Sequence, residues 1–255
     1  MLSGLKILVT GASSGIGQSS AKVLAAHGAE VFGTGRNVSA LESSEYLKGF
    51  HVCDLTESGA AEAAVEAAVS EMQGLTTVVN AAGVLQGGAM GSVGLENFHY
   101  NMTANVQAVF EVMQHSIPHL RSQKDMSPSI VNISSVNGKQ AFAGCATYCA
   151  SKAAVDQLSR CASLDLAPDN IRVNVVNPGV VETPLQRRGG MDDDAYANFL
   201  DRSINVTHPL GSALGRVAQP QEVGELISFL VSKNAKFITG ECIAIDGGRQ
   251  NLGAR

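Results

Sequence analysis

Residues 5–17 read LKILVTGASSGIG, and this stretch decides the architecture. Leu5 to Thr10 is a short apolar run rich in β-branched residues, the pattern of a buried strand. Gly11, Gly15 and Gly17 follow as a G-x-x-x-G-x-G turn. A helical pattern then runs to His27, with Ile16, Ala21, Val23 and Leu24 apolar, and Gly28 stops it. A strand, a glycine-rich turn and a helix make a site for an anionic phosphate. The glycines let the main chain approach, and the helix N-terminus offers unpaired N–H groups and partial positive charge.

The alternation continues outward. Glu30 to Thr34, Phe50 to Cys53, Leu75 to Val79, Ile130 to Ile133, Ile171 to Val176 and Glu241 to Ile245 read as strands. Helical patterns lie between them. Ala60 to Met72 places Val65, Ala68, Val69 and Met72 on one face, and about Leu95 to Leu120 is helical with a break near Asn101. A helix carrying Tyr148 packs Ala154, Leu158, Cys161 and Ala162 inward, and a last helix covers Gln221 to Val231. Strands alternating with helices predict an α/β fold, a doubly wound parallel sheet of Rossmann type. No linker divides the chain, so a single domain is expected over 1–255. Ligands of such sheets sit beyond the carboxyl ends of the strands. Gly11, Asp54, Asn80, Ser135 and Pro178 all fall at predicted strand ends.

Composition excludes several classes of function. Of 255 residues, 45% are hydrophobic and 16% charged, enough for a sizeable core. A net charge of −5 gives no basic field for nucleic acid. No apolar run reaches membrane-span length. Met1 to Lys6 leads directly into a strand, which predicts no signal peptide and a cytoplasmic protein. Cys53, Cys145, Cys149, Cys161 and Cys242 have no Cys-x-x-Cys spacing and read as free thiols. Cys145 and Cys149 flank Tyr148 as small packing residues, either of which could line a pocket. His115 and His119 are four apart but lack a third ligand, so no metal site is predicted. Asp192, Asp193 and Asp194 read as the acidic start of a helix.

Tyr148 and Lys152 are four apart and share one helix face. A phenol has a pKa of about 10. An ammonium one turn away favours the phenolate and pulls that value toward neutrality. Such a tyrosine can pass a proton to or from a carbonyl or alcohol oxygen. Ser135, at the end of a strand thirteen residues upstream, could share that oxygen.

Taken together, these motifs are highly specific. Thr10-Gly11-x-x-x-Gly15-Ile16-Gly17, Asn80-Ala81-Ala82-Gly83, Asn105, Ser135, Tyr148-x-x-x-Lys152, Pro178-Gly179 and Asp246-Gly247-Gly248 occur in order over nearly the whole chain. The chain resembles the short-chain dehydrogenase/reductase family in its single-domain form, especially members similar to 3-oxoacyl-(acyl-carrier-protein) reductase and carbonyl reductase. The resemblance implies an oxidoreductase that interconverts a ketone or aldehyde and an alcohol by hydride transfer with a nicotinamide cofactor. It implies a catalytic set of Asn105, Ser135, Tyr148 and Lys152. Tyr148 would be the acid in reduction, Ser135 would bind the substrate oxygen, Lys152 would hold the ribose, and Asn105 would hold a water beside Lys152. A kinked-helix amide is the other reading of Asn105.

The resemblance also implies cofactor contacts. Gly11, Ser13, Ser14, Gly15, Ile16 and Gly17 form the phosphate loop. Arg36 and Asn37 follow the second strand, Asp54 and Leu55 the third, and Asn80, Ala81, Ala82 and Gly83 the fourth. Tyr148, Lys152, Pro178, Gly179, Val181 and Thr183 complete the set. Asp54 could instead cap the next helix, and Asn80 could be a turn residue. A variable substrate lid is expected over about 180–214, holding Arg187 and Arg188. The stretch from Pro209 to Arg216 is about four residues longer than the family's usual turn.

NADP(H) is the expected cofactor, with NAD(H) as the alternative. No acid ends the second strand, and Arg36 offers a charged planar fork for a 2′-phosphate. Ser14 stands where some NADP-dependent relatives carry Lys or Arg. A homotetramer or homodimer is expected, because the Tyr148 helix carries Ala153, Val155, Leu158 and Ala162 on more than one face. A non-catalytic nucleotide sensor is the second reading of the function, but it has no need of all four catalytic residues.

Overall fold

Strand β1 (Lys6–Thr10) is buried on both faces, and the molecule is layered around it. Ile7 and Val9 point to one core while Leu8 points to the other, as the two-residue period of a strand requires. The remaining strands are β2 (Glu30–Gly35), β3 (Gly49–Val52), β4 (Thr77–Asn80), β5 (Ser129–Ile133), β6 (Arg172–Pro178) and β7 (Cys242–Ile245). They form one sheet in the order β3-β2-β1-β4-β5-β6-β7, with every pair parallel. The computed structural model describes residues 2–252, so residue 1 and residues 253–255 of the expected domain lie outside the described residues.

The helices are α1 (Gly15–Ala26), α2 (Val38–Glu42), α3 (Ala60–Met72), α4 (Leu95–Met102), α5 (Ala108–Arg121) and α6 (Ala146–Leu166). Then come α7 (Leu185–Arg188), α8 (Asp193–Arg202), α9 (Pro209–Leu214) and α10 (Pro220–Val231). On one face of the sheet, Leu24 of α1 and Ile227 and Leu230 of α10 meet Val79 and Val131. On the other, Val65 of α3 and Val112 of α5 meet Val78 and Ile130. Each such side chain contributes roughly 1.5–3 kcal/mol by leaving water.

The break in the long helix falls just past Asn101, at the π-helical turn Thr103–Gln107. One expectation, the inward face of α6, is corrected by the packing. The buried face of α6 is lined by Ser151, Val155, Ser159 and Ser163, whereas Ala154, Leu158 and Ala162 are half-buried and Cys161 is exposed. Serines fill this face because their hydroxyls donate to carbonyls of the same helix, as Ser159 does to Val155 O at 2.7 Å. The stretch before Arg216 folds as the short helix α9, ended by Gly215 in the left-handed region.

Residues 182–217 leave and re-enter the fold at one point. Val181 and Ala218 lie side by side, with Glu182 N–H donating to Ala218 O at 3.0 Å and Ala218 N–H to Val180 O at 3.2 Å. Buried His208 pins the segment from within. Its Nε2 accepts from Val180 N–H at 3.0 Å, which makes Nδ1 the donor to Ser203 O at 2.9 Å. Asp192 caps α8 by accepting from Ala195 N–H at 2.8 Å, as its acidic sequence predicts.

Candidate active site

One cleft runs along the carboxyl ends of the strands, from the glycine turn after β1 to the start of α6. At the first end, Gly11 has a φ of +69° and touches the turn after β4. A Cβ on it would lie 2.9 Å from Ala82 Cα. A Cβ on Gly17 would collide with the Gly11 carbonyl. Thr10 Oγ1 accepts from Ala81 and Ala82 N–H, both at 3.1 Å, and locks the two turns together. Ser14 precedes α1 without capping it, so the first N–H groups of the helix face the cleft without intrahelical partners.

At the other end, Ser135 follows β5 while Tyr148 and Lys152 descend from α6, and all three line the cleft. Lys152 Nζ donates to Ile133 O at 2.9 Å and stands 5.8 Å from the centre of the Tyr148 ring. Ser134 Oγ donates to Lys152 O at 2.9 Å, joining β5 to α6. A Cβ on Gly83 would lie 3.1 Å from Asn105 Oδ1 and 3.4 Å from Lys152 Nζ. The space beside Lys152 is therefore a cradle that any side chain at position 83 would fill.

Asn105 is fully buried and does not line the cleft. Its side chain accepts from Val84 N–H at 2.8 Å and donates to Val84 O at 3.0 Å and Ser151 Oγ at 3.0 Å. One turn earlier, Asn101 does the same for Gln86, at 3.2 and 2.9 Å, and donates to Thr147 Oγ1 at 2.8 Å. The two amides hold residues 84–86 as a neighbouring strand would. The π-helical turn between α4 and α5 follows from this double attachment.

Most of the other residues expected at the site also line the cleft: Ser13, Ile16, Arg36, Leu55, Pro178, Gly179, Val181 and Thr183. Asp54 lines it too, but it does not cap the next helix, because Gly59 stands at that position. Instead Asp54 accepts from Thr56 N–H at 3.0 Å and pairs with Arg36 at 3.3 Å. Three expected contacts do not line the cleft. Asn80 is buried and donates to Asn132 Oδ1 at 2.9 Å, Gly17 packs under the glycine turn, and exposed Asn37 caps α2 by accepting from Ala40 N–H at 3.1 Å. Cys145 and Cys149 are half-buried and line no part of the cleft, whereas Cys53 does. His119 meets Glu66 at 2.9 Å, and among the described residues no three His, Cys, Asp or Glu side chains are grouped to hold a metal.

A family model described as enoyl-(acyl carrier protein) reductase matches residues 11–250. The chain belongs to the short-chain dehydrogenase/reductase family. It is 33% identical over 252 residues to the 2,3-dihydro-2,3-dihydroxybenzoate dehydrogenase of Escherichia coli, covering 99% of each chain. It is 35% identical to a 2,5-dichloro-2,5-cyclohexadiene-1,4-diol dehydrogenase of Sphingobium indicum, covering 97% of each. A solved actinorhodin polyketide ketoreductase with NADPH superposes with a TM-score of 0.86 at 31% identity, over 96% of this chain and 97% of that one. The protein is an oxidoreductase of the family that acts on CH–OH donors.

Electrostatics in this dehydrogenase correct one expectation. Burial pushes the Tyr148 phenol up to about 12, and the Ser135 hydroxyl opposes that rise. Burial also lowers Lys152 to about 8, and Asp156 works against that change. Desolvation therefore dominates both groups, and Lys152 Nζ is directed at Ile133 O rather than at the phenol. The short-chain dehydrogenase also carries cleft residues that the motifs did not reveal. Tyr100 accepts from Arg36 Nη1 at 3.4 Å, and Arg188 of α7 donates to Ser14 Oγ at 2.9 Å. Gln86, Leu185 and Gln186 also line the cleft. Leu185, Gln186 and Arg188 come from the segment after β6, Tyr100 from α4 and Gln86 from the stretch after β4, and none of them belongs to a motif.

Proposed function

We propose that this protein interconverts a secondary alcohol on a carbon ring and the matching ketone, using NADP(H), with Tyr148 as the acid in reduction and the base in oxidation. The observation that carries the reading is the convergence of Ser135, Tyr148 and Lys152 at one end of a cleft whose other end is an unpartnered helix N-terminus. When bound, the cofactor supplies the hydride. Gly11, Ser13, Ser14, Gly15 and Ile16 hold its pyrophosphate, and Thr183 and Lys152 hold its nicotinamide half. Ser135 orients the substrate oxygen, because its Oγ accepts from Asn137 N–H at 3.1 Å and keeps its own proton to donate. Tyr148 moves the proton to that oxygen. Residues 180–214 serve as the lid.

The ring substrate is supported by the relatives named above and by the lining near Tyr148. Val84, Leu85, Ala104 and Leu185 are apolar, and Gln86 and Gln186 add neutral amides. Turnover of a panel of cyclic and acyclic alcohols, followed by nicotinamide absorbance, tests the reading. Acyclic substrates turned over faster than every cyclic one would overturn it.

NADP(H) preference rests on two arginines. Arg36 shares its charge with Asp54, whereas Arg188 forms no ion pair among the described residues. Ser13 Oγ lies 2.7 Å from where a Cβ on Gly35 would stand, so the glycine turn and the end of β2 touch. Arg36 and Arg188 thus bracket Ser13 and Ser14 and supply the charge that would meet a 2′-phosphate beside the glycine turn. Arg36→Ala and Arg188→Ala are each expected to lower the NADPH:NADH ratio of kcat/KM by about tenfold, the worth of a charge-assisted hydrogen bond. A wild type that prefers NADH sinks this assignment.

The protein assembles as a homotetramer or homodimer. Phe110 of α5 and Leu164 of α6 are 43% and 77% exposed, an apolar cost that a second copy removes. Light scattering is expected to give a multiple of the 26.5 kDa chain, and a monomer at micromolar concentration contradicts it.

A further inference from the structure

No step of that reaction touches Asp156, yet this carboxylate is only 2% exposed. It lies on α6 one turn beyond Lys152 and two beyond Tyr148, so the three form a single stripe. Its partner is Asn177 near the end of β6. The Asn177 amide nitrogen donates to both carboxylate oxygens at 3.0 Å and to the main-chain oxygen of Ser135 at 2.9 Å. Turning the amide over would set its oxygen against three acceptors, so its orientation is fixed. Asn177 Oδ1 is left buried without a partner, which makes this a costly arrangement to retain.

The turn after Ser135 seals the carboxylate. A Cβ on Gly138 would lie 2.9 Å from Asp156 Oδ2 and 3.1 Å from Lys152 O. The titratable neighbours of Asp156 are Lys152 on its own helix and Cys242 on β7. Beyond the thiol lie Lys139, whose Nζ donates to Cys242 O at 2.8 Å, together with Arg160 and Glu241. Lys152 alone among these cations is buried, at 5% exposure, and the negative charge raises its hold on a proton.

We propose that Asp156 is a positioning residue of the reaction, clamping the Ser135 turn through Asn177 and supplying the buried Lys152 with its counter-charge. This role presupposes the Tyr148 chemistry proposed above. The test is kcat for oxidation of an accepted alcohol as a function of pH, in wild type, Asp156→Asn, Asn177→Ser and Tyr148→Phe. The alkaline limb, where Lys152 gives up its proton, is expected to move to lower pH by about one unit in Asp156→Asn. Asn177→Ser keeps the charge, so its limb stays while kcat falls by about tenfold with KM little changed. A limb that does not move in Asp156→Asn, or a loss equal at every pH, overturns the inference. Where Asp156→Asn does not fold, Asn177→Ser decides: an unchanged kcat overturns the clamp and a reduced one sustains it. Retained activity in Tyr148→Phe strikes the reaction itself, whereas an unmoved limb beside an inactive Tyr148→Phe strikes only Asp156.

Discussion

Tyr148→Phe is expected to lower kcat by at least about 10²-fold, while nucleotide affinity changes by no more than a few-fold. The ring packs at the start of α6 in a nearly closed site, 5% exposed, and phenylalanine fills the same volume. Only the hydroxyl is lost. With the phenol held up at about 12, the side chain is a reluctant base but a competent donor at neutral pH. Reduction should therefore be favoured near pH 7, and oxidation should gain steadily toward alkaline pH. Steady-state kinetics in both directions, with nucleotide titration by fluorescence, check this. A variant with wild-type kcat rules out the role.

Lys152→Met is expected to abolish most activity and at the same time stabilise the protein without nucleotide. In the fold this ammonium is buried and its pKa is lowered from 10.5 to about 8. The unfolded chain holds that proton more tightly. Between those two values it binds more protons than the fold, so stability rises with pH across that window. Below pH 8 the full cost of the buried charge is present. Methionine keeps the stem and removes the charge; the bond to Ile133 O and the attraction of Asp156 are lost, and both are already counted in the lowered value. The melting temperature at pH 7 should rise by about 3 °C, and its increase from pH 8 to 10 should vanish. The same variant should lose at least about 10²-fold in kcat/KM. A lower melting temperature at pH 7 contradicts this balance.

The sheet was legible because its strands are short, mostly apolar runs such as Ile7 to Val9, which need cover on both faces. The glycine turn and the Tyr148 to Lys152 spacing were legible because both are short-range. The inward face of α6 was not, since Ser151, Ser159 and Ser163 satisfy their hydroxyls within the helix and read as polar surface. Asn101 was invisible for a related reason: its partners, Gln86 and Thr147, lie on other elements. The electrostatics of Tyr148 depended on where the Lys152 side chain points, which spacing alone does not state.

The pinch between Val181 and Ala218 bears on how such a chain can diversify. Both ends of residues 182–217 are already held together by main-chain bonds, so lengthening the span adds little closure entropy. The short helix α9 lies within this span. In the proposed reaction, proton transfer depends on one part of the molecule and substrate fit on another that can grow, shrink or be exchanged. On that reading new substrates can be tried by insertion and deletion in this span, with Tyr148 and the glycine turn left intact.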